Sequence, residues 1–195
     1  MPKTSPPPIE LDELLASEYD YIAQTANQAN EDRARVSSFY LIAVGSLLAA
    51  LFGTQLFNNE TLAPTISIMF GGLFILLTLL GVSTIMQLAR LRASWYESML
   101  AMNQIKDFAT QQHPELGKAF RWKTSTLPNK YKRNSVSYYQ AVEVALIGGL
   151  MFGAGVFFLQ QAFSGQITLP QWVVSIIVGA ITVLLQLQIY KRALR

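Results

Sequence analysis

The chain has no cysteine and a single histidine, His113. Disulfides, thiolate metal sites and cysteine nucleophiles are therefore excluded, and a zinc site or haem pocket is hard to assemble from one histidine. Charge is scarce as well: 14% of residues are charged, against roughly 25% in an average soluble domain. The deficit is local. No charged residue lies between Val36 and Asn59, between Thr61 and Ala89, or between Val144 and Tyr190. A soluble helix of that length would have no solvated face, which argues against a soluble bundle. A Pro-rich, acidic start with no short apolar region behind basic residues leaves no cleavable signal peptide to expect.

What is present is apolar sequence in membrane-sized lengths. About 20 residues at 1.5 Å each cross a hydrocarbon core of about 30 Å. Four spans are expected, near Val36–Phe57, Thr65–Leu88, Ala141–Phe163 and Gln171–Tyr190. The third uncharged window holds two of them, divided at Ser164–Pro170, where a Gly and Pro cluster suits a turn. The fold class that follows is an all-α integral membrane protein of two transmembrane hairpins. Long cytoplasmic extensions of the first and second helices would form a helical bundle. In segments, this reads as a Pro-rich tail over 1–8, an amphipathic helix over 9–35 and a first hairpin over 36–88. A helix and a basic aromatic segment follow over 89–140, then a second hairpin over 141–190 and a basic tail over 191–195.

All 15 Lys and Arg residues fall on one side of this arrangement, and neither short loop, Asn58–Pro64 or Ser164–Pro170, carries one. Basic residues concentrate in cytoplasmic segments. Both termini are therefore expected in the cytoplasm of a bacterial inner membrane.

Small residues recur at four-residue spacing in three spans: Gly45, Ala49 and Gly53; Ala145, Gly149 and Gly153; and Ser175 with Gly179. Such stripes let two backbones approach, either between copies of the chain or within one. Glu143 is the one acid close to a span, read either as a helix-start carboxylate or as a candidate pore mouth in an oligomer. Gln160, Gln161, Gln186 and Gln188 are neutral and near span ends, so proton-coupled transport is not expected.

Outside the spans, Leu11, Leu15, Tyr19, Ile22, Ala26 and Ala29 form one helical stripe, and Leu88, Leu91, Trp95, Met99, Met102 and Ile105 form another. His113-Pro114 should end the second, because proline disfavours helix in the residue before it. Between Lys118 and Arg133 lie Lys118, Arg121 and Lys123, then Lys130, Lys132 and Arg133, with no acid and with Phe120, Trp122 and Tyr131 interleaved. Anionic lipid head groups are the favoured partner for this segment, Trp122 included, over nucleic acid. Residues 1–35 hold seven acids and three bases, and residues 89–140 hold nine bases and three acids, so the N-terminal helix is expected to dock on the basic segment 89–140, within one chain or on a neighbour. No phosphate loop, cofactor motif or catalytic set is recognisable. Gly148–Gly155 is glycine-rich but lacks the Lys-Ser/Thr ending and lies in a span.

Residues 10–125 resemble, in layout, the two-span SLATT effectors of bacterial nucleotide-signalled defence and the RipA-like octameric membrane proteins. The resemblance is carried by a long helix entering a hairpin, then by Arg92, Trp95, Asn103 and Lys106 on the departing helix, and by Phe120-Arg-Trp-Lys123. It implies a homo-oligomer and, from SLATT, a membrane-disrupting pore. The second hairpin departs from both groups, and no nucleotide-sensing domain is attached. Residues and resemblance together point to a non-enzymatic homo-oligomer acting as a membrane scaffold or recruitment platform. An unidentified cytoplasmic or membrane protein would be its further partner, with no cofactor. The alternative is a pore gated by the cytoplasmic bundle.

Overall fold

The computed structural model describes residues 10–53 and 63–195. Four helices dominate it: α1 (Leu11–Gly53), α2 (Pro64–Gln112), α3 (Val136–Ser164) and α4 (Leu169–Ala193). Each is long and apolar enough to cross a membrane. At 1.5 Å per residue, α1 and α2 run about 64 and 73 Å, more than twice the thickness of a hydrocarbon core. The expected first stop at Phe57, the loop from Asn58, the tail over 1–8 and Ile9 lie outside the described residues.

No helix breaker occurs where α1 and α2 pass between apolar and polar sequence, so each continues unbroken. Helix α2 starts at Pro64, whose missing N–H is no loss in a first turn, and ends at Gln112. His113 and Pro114 then open a short 3-10 turn, Pro114–Lys118. The chain returns along α2 as an irregular strap over 119–135 with one 3-10 turn at Thr124–Thr126. Asn134 takes a positive φ of 67°, which asparagine tolerates better than most residues. Ser135 then caps α3, its Oγ accepting from the Tyr138 N–H at 3.2 Å. Between α3 and α4, Gly165 closes the helix in the left-handed conformation (φ 66°), the usual reason for glycine there. The Gln171 side chain accepts from the Thr168 N–H at 2.9 Å, starting α4.

Helices α2 and α3 form the centre. In their apolar windows 39% of residues are buried, against 22% for α1 and 17% for α4, which places the latter two at the edges. The core joins Tyr40 and Val44 of α1, Phe74, Ile85 and Leu88 of α2, Val144 and Ala145 of α3 and Tyr190 of α4. A second, smaller cluster joins Ile22 and Ala26 to Met102. These contacts pair α1 and α2 in opposite order, with Tyr19 near Lys106 and Tyr40 on Gly81.

Candidate functional site

The small-residue stripes separate in space. A Cβ added at Gly149 would lie 2.7 Å from the Gly179 carbonyl oxygen and 2.4 Å from Val183 Cγ2, and one at Gly153 would lie 2.8 Å from the Ser175 oxygen. With Ala145 buried in the core, this stripe and Ser175–Gly179 make a backbone-to-backbone seam between α3 and α4. At Gly45 and Gly53 an added Cβ would meet nothing within 4 Å among the described residues, and Ala49 between them is exposed. That stripe faces outward, beside exposed Phe39 and Ile42. An apolar groove of about 720 Å³ opens over the α3–α4 seam, floored by Gly149 and Gly153 and walled by Phe157 and Trp172.

Polar groups are buried inside the apolar region. Gln186 is 1% exposed, and neither of its side-chain polar atoms has a hydrogen-bond partner among the described residues. It lies against Gly148, whose carbonyl oxygen accepts from Thr78 Oγ1 at 3.3 Å. Tyr40 Oη and Ser67 Oγ are buried and unpaired likewise. The sequence showed Gln186 only as a neutral residue near a span end; its burial follows from the glycine across from it. Glu143 is exposed on α3.

At the basic end of the spans lies a collar that sequence reasoning missed. Arg33 of α1 and Arg92 of α2 are within electrostatic reach of each other, and no carboxylate lies within 4 Å of either among the described residues. Burial lowers the pKa of both, and the charge of Arg33 lowers that of Arg92 further. Both remain cationic, since guanidinium does not deprotonate in proteins. Arg92 stacks on Trp95 at 4.3 Å and its Nε donates to the Lys130 carbonyl oxygen at 3.3 Å; the Nε of Arg33 is buried without a partner among the described residues. Nearby, the Ser137 and Tyr190 hydroxyls hydrogen bond at 2.7 Å. The signal available in sequence was the matching position of Arg33 and Arg92 just outside the first two spans.

The seven residues assigned to lipid divide by height. Lys130, Lys132 and Arg133 lie just before α3, close to the collar. Lys118, Arg121, Trp122 and Lys123 belong to the far half of the strap, beside the last turns of α2. There Arg121, Trp122 and Lys123 border a cavity of about 590 Å³, whose α2 wall reaches Lys106, about 27 Å beyond Leu88 along the helix axis. The strap is held over this cavity by a 2.7 Å bond from Thr124 Oγ1 to Asp107 and a 3.3 Å ion pair between Lys130 and Glu97. The N-terminal helix packs on the α2 part of the basic segment 89–140 through Ile22 and Ala26 against Met102, but not through its acids: Glu10, Asp12 and Glu13 are exposed and in no ion pair among the described residues. Tyr19, under Lys106, is what α1 brings to this region.

Comparison of the chain with protein-family models, curated proteins and solved structures finds no match.

Proposed function

We propose that the chain is a non-enzymatic, homo-oligomeric protein of a bacterial inner membrane, built as two hairpins with both termini cytoplasmic. It acts as a scaffold or recruitment platform through the bundle formed by the α1 and α2 extensions. The supporting observation is the uncovered stripe Gly45–Ala49–Gly53 on an edge helix. The matched stripe on α3 is consumed inside the chain, whereas this one is left with the geometry for close approach of a second copy. The resemblance in layout to SLATT-type and RipA-like proteins, carried by the sequence alone, would imply an oligomer as well. Anionic lipids suit the collar: Arg33 and Arg92 lack a counter-charge, and a head-group phosphate meets guanidinium with paired hydrogen bonds.

The test is subunit number in native-lipid nanodiscs. A discrete oligomer that Gly45→Leu with Gly53→Leu converts to a monomer is expected; a monomeric wild type sinks the proposal. The chain has no cysteine, so single-cysteine labelling reads orientation directly. Ser164→Cys and Lys191→Cys should label from opposite sides of the membrane.

The second reading is an oligomeric pore. Exposed Glu143 supports it, because copies around an axis would bring these carboxylates into a ring. Ion flux in reconstituted liposomes separates the two: a platform seals, and a pore conducts with Glu143-dependent selectivity.

A further inference from the structure

The cavity between α1, α2 and the strap has no part in the reading above, and three independent features of it agree. The first is charge. Lys106 of α2 and Arg121 and Lys123 of the strap border it, and no acid does. None of the three is in an ion pair among the described residues. Asp107, next to Lys106 in sequence, is turned to the Thr124 hydroxyl instead. The second is flat apolar surface. Tyr19, Trp95 and Trp122 bring aromatic rings to it from all three walls, and Lys106 Nζ already sits 5.6 Å from the Tyr19 ring and 6.0 Å from that of Phe120. The third is Asn103. It is 5% exposed, it borders the cavity, and its side-chain amide has no hydrogen-bond partner among the described residues. Its polar atoms are not among the fully buried ones that lack a partner, so the amide opens on the cavity, where a ligand atom can pair with it in place of water.

Cations select a phosphate, ring faces select a planar ring, and a primary amide donates and accepts along one edge, as a heteroaromatic ring edge requires. The volume, about 590 Å³, lies within the roughly 300–1,000 Å³ of small-molecule sites. Lipid of the same membrane is a poor occupant, because Lys106 stands about 27 Å beyond Leu88. We propose that this cavity binds a soluble aromatic phosphate of the mononucleotide type. Its ring packs between Trp95 and Trp122, its edge pairs with Asn103, and its phosphate meets Lys106, Arg121 and Lys123. No phosphate loop is needed, since side chains rather than backbone amides supply the positive charge. A bound ligand touches α1, α2 and the strap at once, so it fixes the strap on the stalk. This inference does not depend on the subunit number.

The full chain carries its own reporters. Of its three tryptophans, Trp95 and Trp122 border the cavity, and Trp172 lies on α4. In a Trp172→Phe background in phosphatidylcholine nanodiscs, tryptophan emission is titrated with each of the four common mononucleotides, with adenosine and with inorganic phosphate. At least one mononucleotide should quench saturably and bind at least about tenfold tighter than adenosine or phosphate. Asn103→Ala, and Arg121→Ala with Lys123→Ala, should each weaken that binding about tenfold or more. Arg121 and Lys123 are exposed, so the double variant tests the site without threatening the fold. The proposal falls if no mononucleotide saturates, if phosphate alone binds as well, or if the double variant binds like wild type. It falls too if phosphatidylglycerol nanodiscs abolish nucleotide binding, because the occupant would then be lipid.

Discussion

In α3, Gly149 and Gly153 lie so close to α4 that a methyl group would strike the backbone of Gly179 or Ser175, whereas in α1 Gly45 and Gly53 have no atom of the described residues within reach of one. The two stripes have the same four-residue spacing and the same residue types. They differ in what stands opposite. Helix α4 brings its own small pair to α3, so the two backbones close on each other; α1 meets α2 through Tyr40, Val44 and Leu51, a larger-residue face that turns the glycines outward. A small-residue stripe is thus a capacity for close packing, and the neighbouring helix decides whether the chain spends it internally.

The hardest test of this contrast is Gly149→Leu. The seam has no room, so overpacking should destabilise by about 3 kcal/mol or more, or prevent folding, read as loss of the thermal transition in detergent. Gln186 sits at the same level as the seam with its amide unpaired, so Gln186→Leu should be neutral or stabilise by about 1 kcal/mol. A clear fall in stability would instead reveal a partner for the amide. Lys130→Ala removes an ion pair whose Glu97 side chain is 69% exposed, and solvent screening should hold the loss below about 1 kcal/mol. The smallest effect is expected at the open stripe. Gly45→Leu should change subunit stability by no more than about 0.5 kcal/mol while altering subunit number. If it destabilises the subunit as Gly149→Leu does, the contrast fails.

Much of the architecture was legible because it is written in local solvation. Long uncharged windows announced four apolar helices. The stripe through Ile22 and Ala26 anticipated the face that meets Met102, and Pro114 marked the end of α2. The candidate sites were less legible. Asn103 and Lys106 stood out in the sequence only as part of a resemblance in layout, and Arg121 to Lys123 as part of that resemblance and of one basic run, with nothing to show that they share a cavity. Only the return of the strap along α2 sets them around a common space. Arg33 and Arg92 are nearly sixty positions apart in the chain (~60, a separation no periodic pattern reports), and their neighbourhood depends on how two helices are registered against each other. Complementary charge suggested that the acidic N-terminal helix docks on the basic segment 89–140, within the chain or on a neighbour; within the chain it is apolar packing that joins them, since exposed ion pairs are too weak to impose a contact.

By itself, the sequence determined that this chain is helical with four segments long and apolar enough to cross a membrane, because every residue's preference for water or hydrocarbon is its own and adds up along a window. Tertiary structure alone decided which glycines touch, which amides are left unpaired and which cations surround a cavity. Those properties belong to pairs of residues far apart in the chain, and packing at the density of a solid admits one set of such pairs and excludes the rest.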